Sequence, residues 1–119
     1  MTSLNKAYFI GHLGRTPERR TGPSGATVVR ISLATKRLAR VDDTTIETTE
    51  WHRLTANGPT AEHLATRQKG DTLAVECTIR PNRWTDSEGH EHHDVTFVIE
   101  RVLWCTTPTK AAKLPLVAE

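Results

Sequence analysis

The sequence predicts a mainly β domain of five strands and one helix, with the helix between the third and fourth strands. Three observations lead to this fold class. Apolar and polar side chains alternate along several segments, which is the period of half-buried strands. Gly, Pro, Asn and Asp residues separate these segments and mark turns. Only residues 60–68 show the apolar spacing of a helix.

The first three strands are expected in the first half of the chain. Residues 4–14 are rich in aromatic and branched side chains, which favours a strand. Residues 15–25 contain two prolines and two glycines and predict a loop or a hairpin turn. Residues 28–36 alternate cleanly. Residues 50–56 return to strand character, and the polar residues 37–49 between them indicate a long, mobile connection.

The helix over residues 60–68 follows the Gly58-Pro59 pair, which breaks the third strand. Thr60 is the expected cap, and Gly70 suits the position just beyond the helix C-terminus. The helix places a narrow apolar stripe on one end of a sheet or barrel.

The last two strands, residues 72–80 and 95–105, form a long hairpin around the turn signal at residues 86–89. The alternation slips at Glu100-Arg101, which predicts a β-bulge there. Opposed positions sum to about 176 or 177, so Cys105 lies about 16 Å along the strand from the position opposite Cys77. That separation exceeds the reach of a disulfide, and both thiols are expected to be free.

Five strands with one helix after the third is the order of an oligonucleotide-binding (OB) barrel, although periodicity alone also allows another small α+β sheet. The 119 residues provide for one domain. We expect the barrel over residues 1–105 and a short, flexible C-terminal tail over residues 106–119.

Composition excludes several classes of protein. Hydrophobic residues make up 36% and charged residues 25% of the chain, a balance unlike that of disordered or membrane proteins. The N-terminus lacks the apolar stretch of a secretory signal, so a cytoplasmic protein without membrane contact is expected. The net charge is only +2, but the first 40 residues contain eight Lys or Arg against Glu18 alone. Such asymmetry suggests a surface for a polyanion, with a solvated charged face as the alternative.

Several stretches resemble bacterial single-stranded DNA-binding proteins in order and spacing. The resemblance covers residues 4–104, and its most specific pieces in combination are TEWHR and RWTD-x-x-G. The stretches that carry it are LNKAYFIGHLGRTPERR, ISLAT, TEWHR, AEHLA, KGD and RWTDSEGH. The resemblance implies an OB barrel that wraps single strands, usually as a homotetramer; whether this chain forms a tetramer or a dimer stays open.

The resemblance also implies roles for individual residues. Trp51 and Trp84 fall where the family places base-stacking tryptophans, and His52 matches a histidine of the subunit interface. A sequence-tolerant binder needs such flat π surfaces together with cations for phosphates. Trp104 lies in an apolar strand end and is expected in the core. The positions at or beside the family's backbone-contacting cations are Lys6, Arg20, Arg53, Lys69, Arg80 and Arg83.

Three departures from the family pattern stand out. A further tryptophan is replaced within residues 36–40 (KRLAR), and Asn57 replaces a phenylalanine. Two stacking positions are thus missing, and Arg37 and Arg40 are expected to compensate through phosphate contacts or guanidinium stacking. The family's acidic, aromatic-tipped terminus has no counterpart before Glu119, so recruitment of replication or recombination proteins through such a tail is expected to be absent.

The function expected from these features is non-catalytic binding of single-stranded DNA with little base preference. It would protect single strands in replication, recombination, repair or transfer, in a bacterial cytoplasm and associated with the nucleoid. The alternative is a primosome-type replication-restart adaptor that acts mainly through protein contacts. The missing stacking positions favour the adaptor, and the retained tryptophans oppose it.

The cluster at residues 90–94 (HEHHD) invites a metal hypothesis, because His90 and His92 alternate along a strand and share a face. No matching Cys or carboxylate is signalled elsewhere, so neither a metal nor another cofactor is expected. Charging these imidazoles at lower pH would strengthen phosphate contacts. The sequence holds no G-x-S-x-G, P-loop or H-E-x-x-H motif, and no enzyme activity is expected.

Overall fold

Six strands and one short helix make up residues 2–108, the part of the chain that the computed structural model describes. The elements, in chain order, are β1 (Ala7–Leu13), β2 (Glu18–Thr21), β3 (Thr27–Val41), β4 (Thr44–Asn57), α1 (Gly58–Leu64), β5 (Thr72–Thr85) and β6 (Glu91–Thr106).

Five of the strands close into a barrel. The sheet order is β1-β5-β6-β4-β3-β2, and an additional pairing of β1 with β3 completes the ring. The β4–β6 pair is parallel, and the other pairs are antiparallel. The predicted OB barrel with one helix is therefore confirmed, and the four-residue β2 is a sixth strand on the edge of β3, outside the ring.

The barrel interior is filled by the apolar side chains that alternation assigns to the inner face. Full burial of one Leu or Val contributes about 1.5 to 3 kcal/mol, so this set is the main source of stability. Helix α1 adds Ala61 and Leu64, both fully buried, at one end. The strand residues of the core are Leu13, Val29, Ile31, Leu33, Leu54, Ala56, Leu73, Val75, Cys77 and Ile99.

The two thiols are free, as predicted. Cys77 lies opposite Ile99, within one position of the expected register. Burial raises the pKa of the Cys77 thiol to about 11, so this group stays protonated and packs as a small apolar side chain. Cys105 lies opposite Leu73 instead and is only half-buried.

Part of the predicted loop over residues 15–25 is strand. Glu18–Thr21 pairs with β3, with Glu18 opposite Arg30 and Thr21 opposite Thr27. The prolines and glycines that suggested a loop flank this strand rather than interrupt it. The reversal lies between the two strands, where the Gly22 N–H donates to the Ala26 carbonyl at 2.7 Å and Gly25 has a φ of +85°.

The predicted long connection over residues 37–49 is wrong. Strands β3 and β4 continue as a hairpin to Val41 and Thr44, joined by Asp42 and Asp43. Both aspartates have positive φ, 49° and 63°, as a two-residue type I′ turn requires. This arm projects beyond the barrel and is mostly exposed on both sides, so it lacks the apolar alternation that reveals a strand.

The helix is shorter than predicted and begins earlier. It spans Gly58–Leu64, with Asn57 rather than Thr60 at the capping position and no side-chain cap. Pro59 in the first turn favours this start, because its ring is compatible with helical φ and its missing N–H needs no partner there. Gly70, with a φ of +94°, reverses the chain into β5, and its N–H donates to the Leu13 carbonyl at 2.8 Å.

The β5–β6 hairpin contains the predicted bulge. Glu76 pairs with Arg101 and Cys77 with Ile99, which leaves Glu100 as the extra residue. A second shift leaves Leu103 unpaired, because Ala74 pairs with Trp104 and Val75 with Val102.

The second shift overturns the prediction that Trp104 packs in the core. The extra residue at Leu103 turns the Trp104 side chain to the outside, where it is 46% exposed. Strand β6 ends only at Thr106, one residue into the predicted tail, and residues 109–119 of that tail lie outside the described residues.

Closure of the barrel predicts that Gly11→Ala is strongly destabilising. A Cβ at Gly11 would lie 2.2 Å from the Ala34 carbonyl oxygen, where β1 approaches β3. Overpacking of this kind costs about 1 to 3 kcal/mol or more, because backbone has to shift. Urea denaturation monitored by circular dichroism would measure the loss.

Gly22→Ala is the matched control, because its Cβ would meet no atom closer than 3.4 Å. We expect the control to unfold near the wild-type midpoint. Equal midpoints for both variants would contradict the close approach at Gly11.

Candidate nucleic-acid interface

Trp51 and Trp84 both lie on the side of the sheet that faces away from the core, here called the outer face. Trp51 on β4 is opposite Ala34 on β3, and Trp84 on β5 is opposite His92 on β6. Strand β6 lies between β5 and β4 in the sheet and so connects the strands that hold the two tryptophans. Its Phe97 pairs with Leu54 of β4 on the inner side. Alternation around these pairs gives the outer-face residues Arg30, Ser32, Lys36, Leu38, Arg40, Trp51, Arg53, Thr55, Arg80, Asn82, Trp84, His92, Asp94 and Thr96.

The Trp51 indole is 60% exposed, as its polar strand face predicts. One edge of the ring lies against Gly14, where a Cβ would come within 2.0 Å of Trp51 Cζ3. Because Gly14, which follows β1, has no side chain, the Trp51 ring has space to lie against it. The rest of the indole is accessible to a ligand.

Trp84 is 52% exposed, and one of its faces is covered by His92. The two ring centroids are 4.1 Å apart with an interplanar angle of 15°, a stacked arrangement. His92 Nε2 lies 2.8 Å from Asp86 Oδ2, in the turn that joins β5 to β6. The hydrogen bond to His92, aided by backbone N–H groups of the turn, lowers the pKa of Asp86 below its ordinary value.

A depression of about 460 Å³ lies on the outer face beside Arg53 and contains a cluster of arginines. We call it the arginine pocket. Arg20 pairs with Glu18, also in the lining. Arg15, Arg30 and Arg53 have no carboxylate within 4 Å among residues 2–108, so their charges are available to an anionic ligand. The lining is completed by Ile31, Ser32, Leu54, Thr55, Asp94, Val95 and Thr96.

Sequence reasoning missed Arg15 and Arg30. Arg30 lies on the polar side of the alternating segment in β3, but only the register with β4 places it opposite Thr55, next to Arg53. Arg15 is part of the segment between β1 and β2, whose path depends on how β2 pairs. Positive charge in the first 40 residues was the available signal, without a way to select among its members.

The two arginines proposed to replace lost aromatic positions lie on different sides of the β3–β4 arm. By alternation Arg40 shares the outer face with Trp51, and its NH2 group is 3.8 Å from Asp43. Arg37 lies on the opposite side, where its Nε donates to Glu50 Oε2 at 3.0 Å. The arrangement brings Arg40, and not Arg37, to the side of the tryptophan.

Three further residues that were predicted to contact the DNA backbone lie outside the arginine pocket. Arg80 is on the outer face, and its NH2 group is 3.5 Å from Glu100 Oε1. Arg83 pairs with His93 on the inner side of the same hairpin and lines a separate depression of about 400 Å³. Lys69 is exposed in the loop between α1 and β5.

Lys6 is engaged within the chain by Glu76. Its Nζ lies 3.0 Å from Glu76 Oε2, and the other carboxylate oxygen accepts from Arg101 at 3.2 Å and from the Tyr8 hydroxyl at 3.3 Å. These contacts, that of Lys6 foremost, hold the pKa of Glu76 below its ordinary value. Lys6 therefore neutralises a nearly buried carboxylate.

His52 is half-buried and held by its own chain. Its Nε2 is 2.8 Å from Thr35 Oγ1, and its ring centroid is 4.8 Å from that of Phe9. The subunit-interface role that the resemblance implied for His52 stays a prediction.

A second part of the outer face is apolar. Ile10 on β1, Ala74 on β5 and Trp104 on β6 lie side by side, and Tyr8 is two residues from Ile10 on the same side of β1. Tyr8 and Ile10 are each 62% exposed. We call these four residues the apolar patch; Ala74 is only 1% exposed, so the exposed part of the patch is formed by Tyr8, Ile10 and Trp104. Exposed apolar patches of this kind mark interaction sites.

Two negative findings apply to residues 2–108. No cluster of three or more His, Cys, Asp or Glu side chains there is arranged to hold a metal ion. The same residues form no helix long and apolar enough to span a lipid bilayer.

Comparison with known proteins identifies relatives across most of the chain. The profile of the Single-strand binding protein family matches residues 4–104. The single-stranded DNA-binding protein of Rickettsia conorii is 33% identical over 102 residues, which cover 82% of this chain and 67% of the relative. Single-stranded DNA-binding protein 1 of Xylella fastidiosa is 38% identical over 96 residues, covering 78% of this chain and 71% of the relative.

Solved structures agree with the fold. A deletion mutant of the single-stranded DNA binding protein from Thermus aquaticus superposes with a TM-score of 0.73 at 25% identity; the match covers 83% of this chain and 49% of that one, about half its length. The Plasmodium falciparum SSB, solved in complex with ssDNA, gives a TM-score of 0.70 at 23% identity, over 82% of this chain and 88% of that one. The length of the family match and the identity to these relatives establish that the chain belongs to the single-strand binding protein family.

Proposed function

We propose that this protein binds single-stranded DNA with little base preference, by stacking bases on Trp51 and Trp84 and holding phosphates in the arginine pocket. The observation that carries the proposal is that both indoles are exposed on the outer face. Arg53, two residues from Trp51 on the same side of β4, lines the arginine pocket. Family membership supports the same activity, since the relatives described above are named for it.

The outer face is suited to an extended polynucleotide. The next outer-face residue after Trp51 on β4 is Arg53, which lines the arginine pocket. Asp94 and Thr96 of β6 also line the pocket, and farther along β6 His92 pairs with Trp84 of β5. Every base has a π-face, so stacking tolerates any sequence, and guanidinium groups bind phosphates in two-point contacts. Neither kind of contact requires bond cleavage, so the proposed activity is binding without catalysis.

The biological setting proposed here is protection of single strands in replication, recombination, repair or transfer, in the cytoplasm and associated with the nucleoid. The relatives reported above give no support to a replication-restart adaptor. Of the two arginines in the altered segment, Arg40 is the one that we expect to contact the strand, because Arg37 faces away and pairs with Glu50.

We also propose that the apolar patch joins copies of this chain into a homotetramer or a dimer. The patch is well separated from Trp84 along β5, because about ten residues of extended strand, roughly 33 Å, lie between Ala74 and Trp84. Association through the patch therefore leaves the stacking site free and gives DNA a longer path over several barrels.

Replacing either tryptophan tests the stacking contribution. Trp51→Ala and Trp84→Ala should each weaken binding of an oligo-dT strand by about 1 to 3 kcal/mol, roughly 5- to 150-fold in Kd, because each removes one stacking surface. Fluorescence anisotropy of a labelled oligonucleotide measures the change.

The conservative variants Trp51→Phe and Trp84→Phe keep an aromatic face and serve as controls, which should retain most of the affinity. Wild-type affinity in both alanine variants would overturn the stacking mechanism.

Salt dependence tests the arginine pocket. Arg30→Gln and Arg53→Gln should each reduce the slope of log K against log salt by about 0.7, since each removes one phosphate contact on a single strand. Arg19→Gln is the matched control, because Arg19 lies on the opposite side of β2 and is paired with Glu62 at 3.2 Å. The pocket is not a phosphate site if all three variants have the same slope as the wild type.

Ile10→Glu tests the apolar patch. A carboxylate introduced at this position of the patch should disfavour burial of the patch and lower the mass measured by light scattering. Ile46→Glu is the matched control, because Ile46 is 45% exposed on the β3–β4 arm, away from the patch. If Ile10→Glu keeps the wild-type mass, another surface holds the oligomer together.

A further inference from the structure

A continuous series of contacts runs from the β5–β6 turn to the Trp84 ring. Asp86 Oδ1 accepts hydrogen bonds from the backbone N–H groups of Glu88 and His90, each at 2.9 Å. Asp86 Oδ2 lies 2.8 Å from His92 Nε2, and the His92 ring stacks on the indole. The position of the indole therefore depends on the backbone of the turn through two intervening side chains.

The stack leaves one face of Trp84 for a ligand. His92 covers the other face at a centroid distance of 4.1 Å, close to van der Waals contact for nearly parallel rings. A side chain that is ordered before binding loses less rotamer freedom on binding, so less of the interaction free energy is spent on ordering it. An indole held from one side has already lost this freedom.

We propose that His92 is a positioning residue for Trp84: the Asp86–His92 pair holds the indole in one orientation, so that a base stacks on its open face. This inference rests on the proposed function and adds to it a residue that the family resemblance did not single out. The competing possibility is that His92 occupies the place of a base and has to leave, and the experiments below separate the two.

The arrangement also makes the hold on Trp84 dependent on pH. A charged imidazole donates a charge-assisted hydrogen bond to Asp86 and adds a cation–π attraction to the indole, so the stack is tighter when His92 is protonated.

Other charged groups act on the same pair. His90 Nδ1 lies 3.7 Å from Asp86 Oδ2 and 3.7 Å from Glu88, so His90 shares the carboxylate. Asp94 follows two residues along β6 on the outer side, and His93 pairs with Glu91 on the other side at 3.1 Å.

The first experiment needs no DNA. In a Trp51→Phe/Trp104→Phe background, Trp84 is the only tryptophan, and an imidazolium in contact with it accepts an electron from the excited indole and quenches its emission. We expect fluorescence to fall several-fold between pH 8 and pH 5.5. His92→Phe should abolish the fall, whereas the neighbouring-histidine controls His90→Gln and His93→Gln should keep it. A fall that persists in His92→Phe would overturn the contact.

The second experiment measures oligo-dT affinity in the otherwise wild-type chain. His92→Ala should weaken binding several-fold, His92→Phe should restore most of the loss because it keeps the stack, and the restored variant should lose the added pH dependence. Tighter binding by His92→Ala would show that His92 competes with the base, and unchanged binding would also overturn the positioning role.

Trp84→Ala distinguishes failure of this inference from failure of the proposed function. If His92 acts through the indole, His92→Ala should cause little further loss in a Trp84→Ala background. A Trp84→Ala variant with wild-type affinity would overturn the stacking role and, with it, positioning for DNA. The fluorescence titration would still decide whether His92 holds the ring.

Discussion

The antiparallel register between β3 and β4 is the constraint on which the site depends. It places Leu33 opposite His52 and Ile31 opposite Leu54 on the inner side, and so places Trp51 and Arg53 outside. Because strand side chains alternate, a slip of one residue would turn the tryptophan inward and bring core leucines to the surface. Burial of the inner set therefore holds the outer set in position, and the stability of the barrel and the geometry of the interface have the same origin.

The outer face is divided by charge into two regions. Lys6 and Arg101 both form ion pairs with the carboxylate of Glu76. The neighbouring apolar patch is therefore left without a strong excess charge. In the arginine pocket, Arg15, Arg30 and Arg53 have no carboxylate partner within 4 Å among the described residues. Only some of the Lys and Arg side chains in the first 40 residues can therefore contribute to an anion site, because the position of each in the sheet decides whether a carboxylate pairs with it.

Much of the barrel could be predicted because its strands have one buried face, as in residues 28–36 and 72–80. The hairpin at Asp42-Asp43 escaped prediction, since a strand exposed on both sides has no apolar period. Trp104 was misplaced because a bulge at Leu103 reverses the side of every residue after it, and local sequence does not locate such a shift. Arg30 could not be singled out without its pairing partner on β4. The predicted hairpin register already placed position 84 opposite 92 or 93, but the stacking of the Trp84 and His92 rings is seen only in the structure.

Loss of the two stacking positions changes the balance of what remains. When fewer aromatic surfaces contact the strand, each retained one supplies a larger share of the free energy, and any rotamer freedom left in it weakens binding proportionally more. Trp51 lies against Gly14, and Trp84 lies against His92, so each indole is supported on one side by the protein. Under the proposed function, support of both rings would offset the missing surfaces without a new aromatic residue, together with the pocket arginines that have no carboxylate partner among residues 2–108.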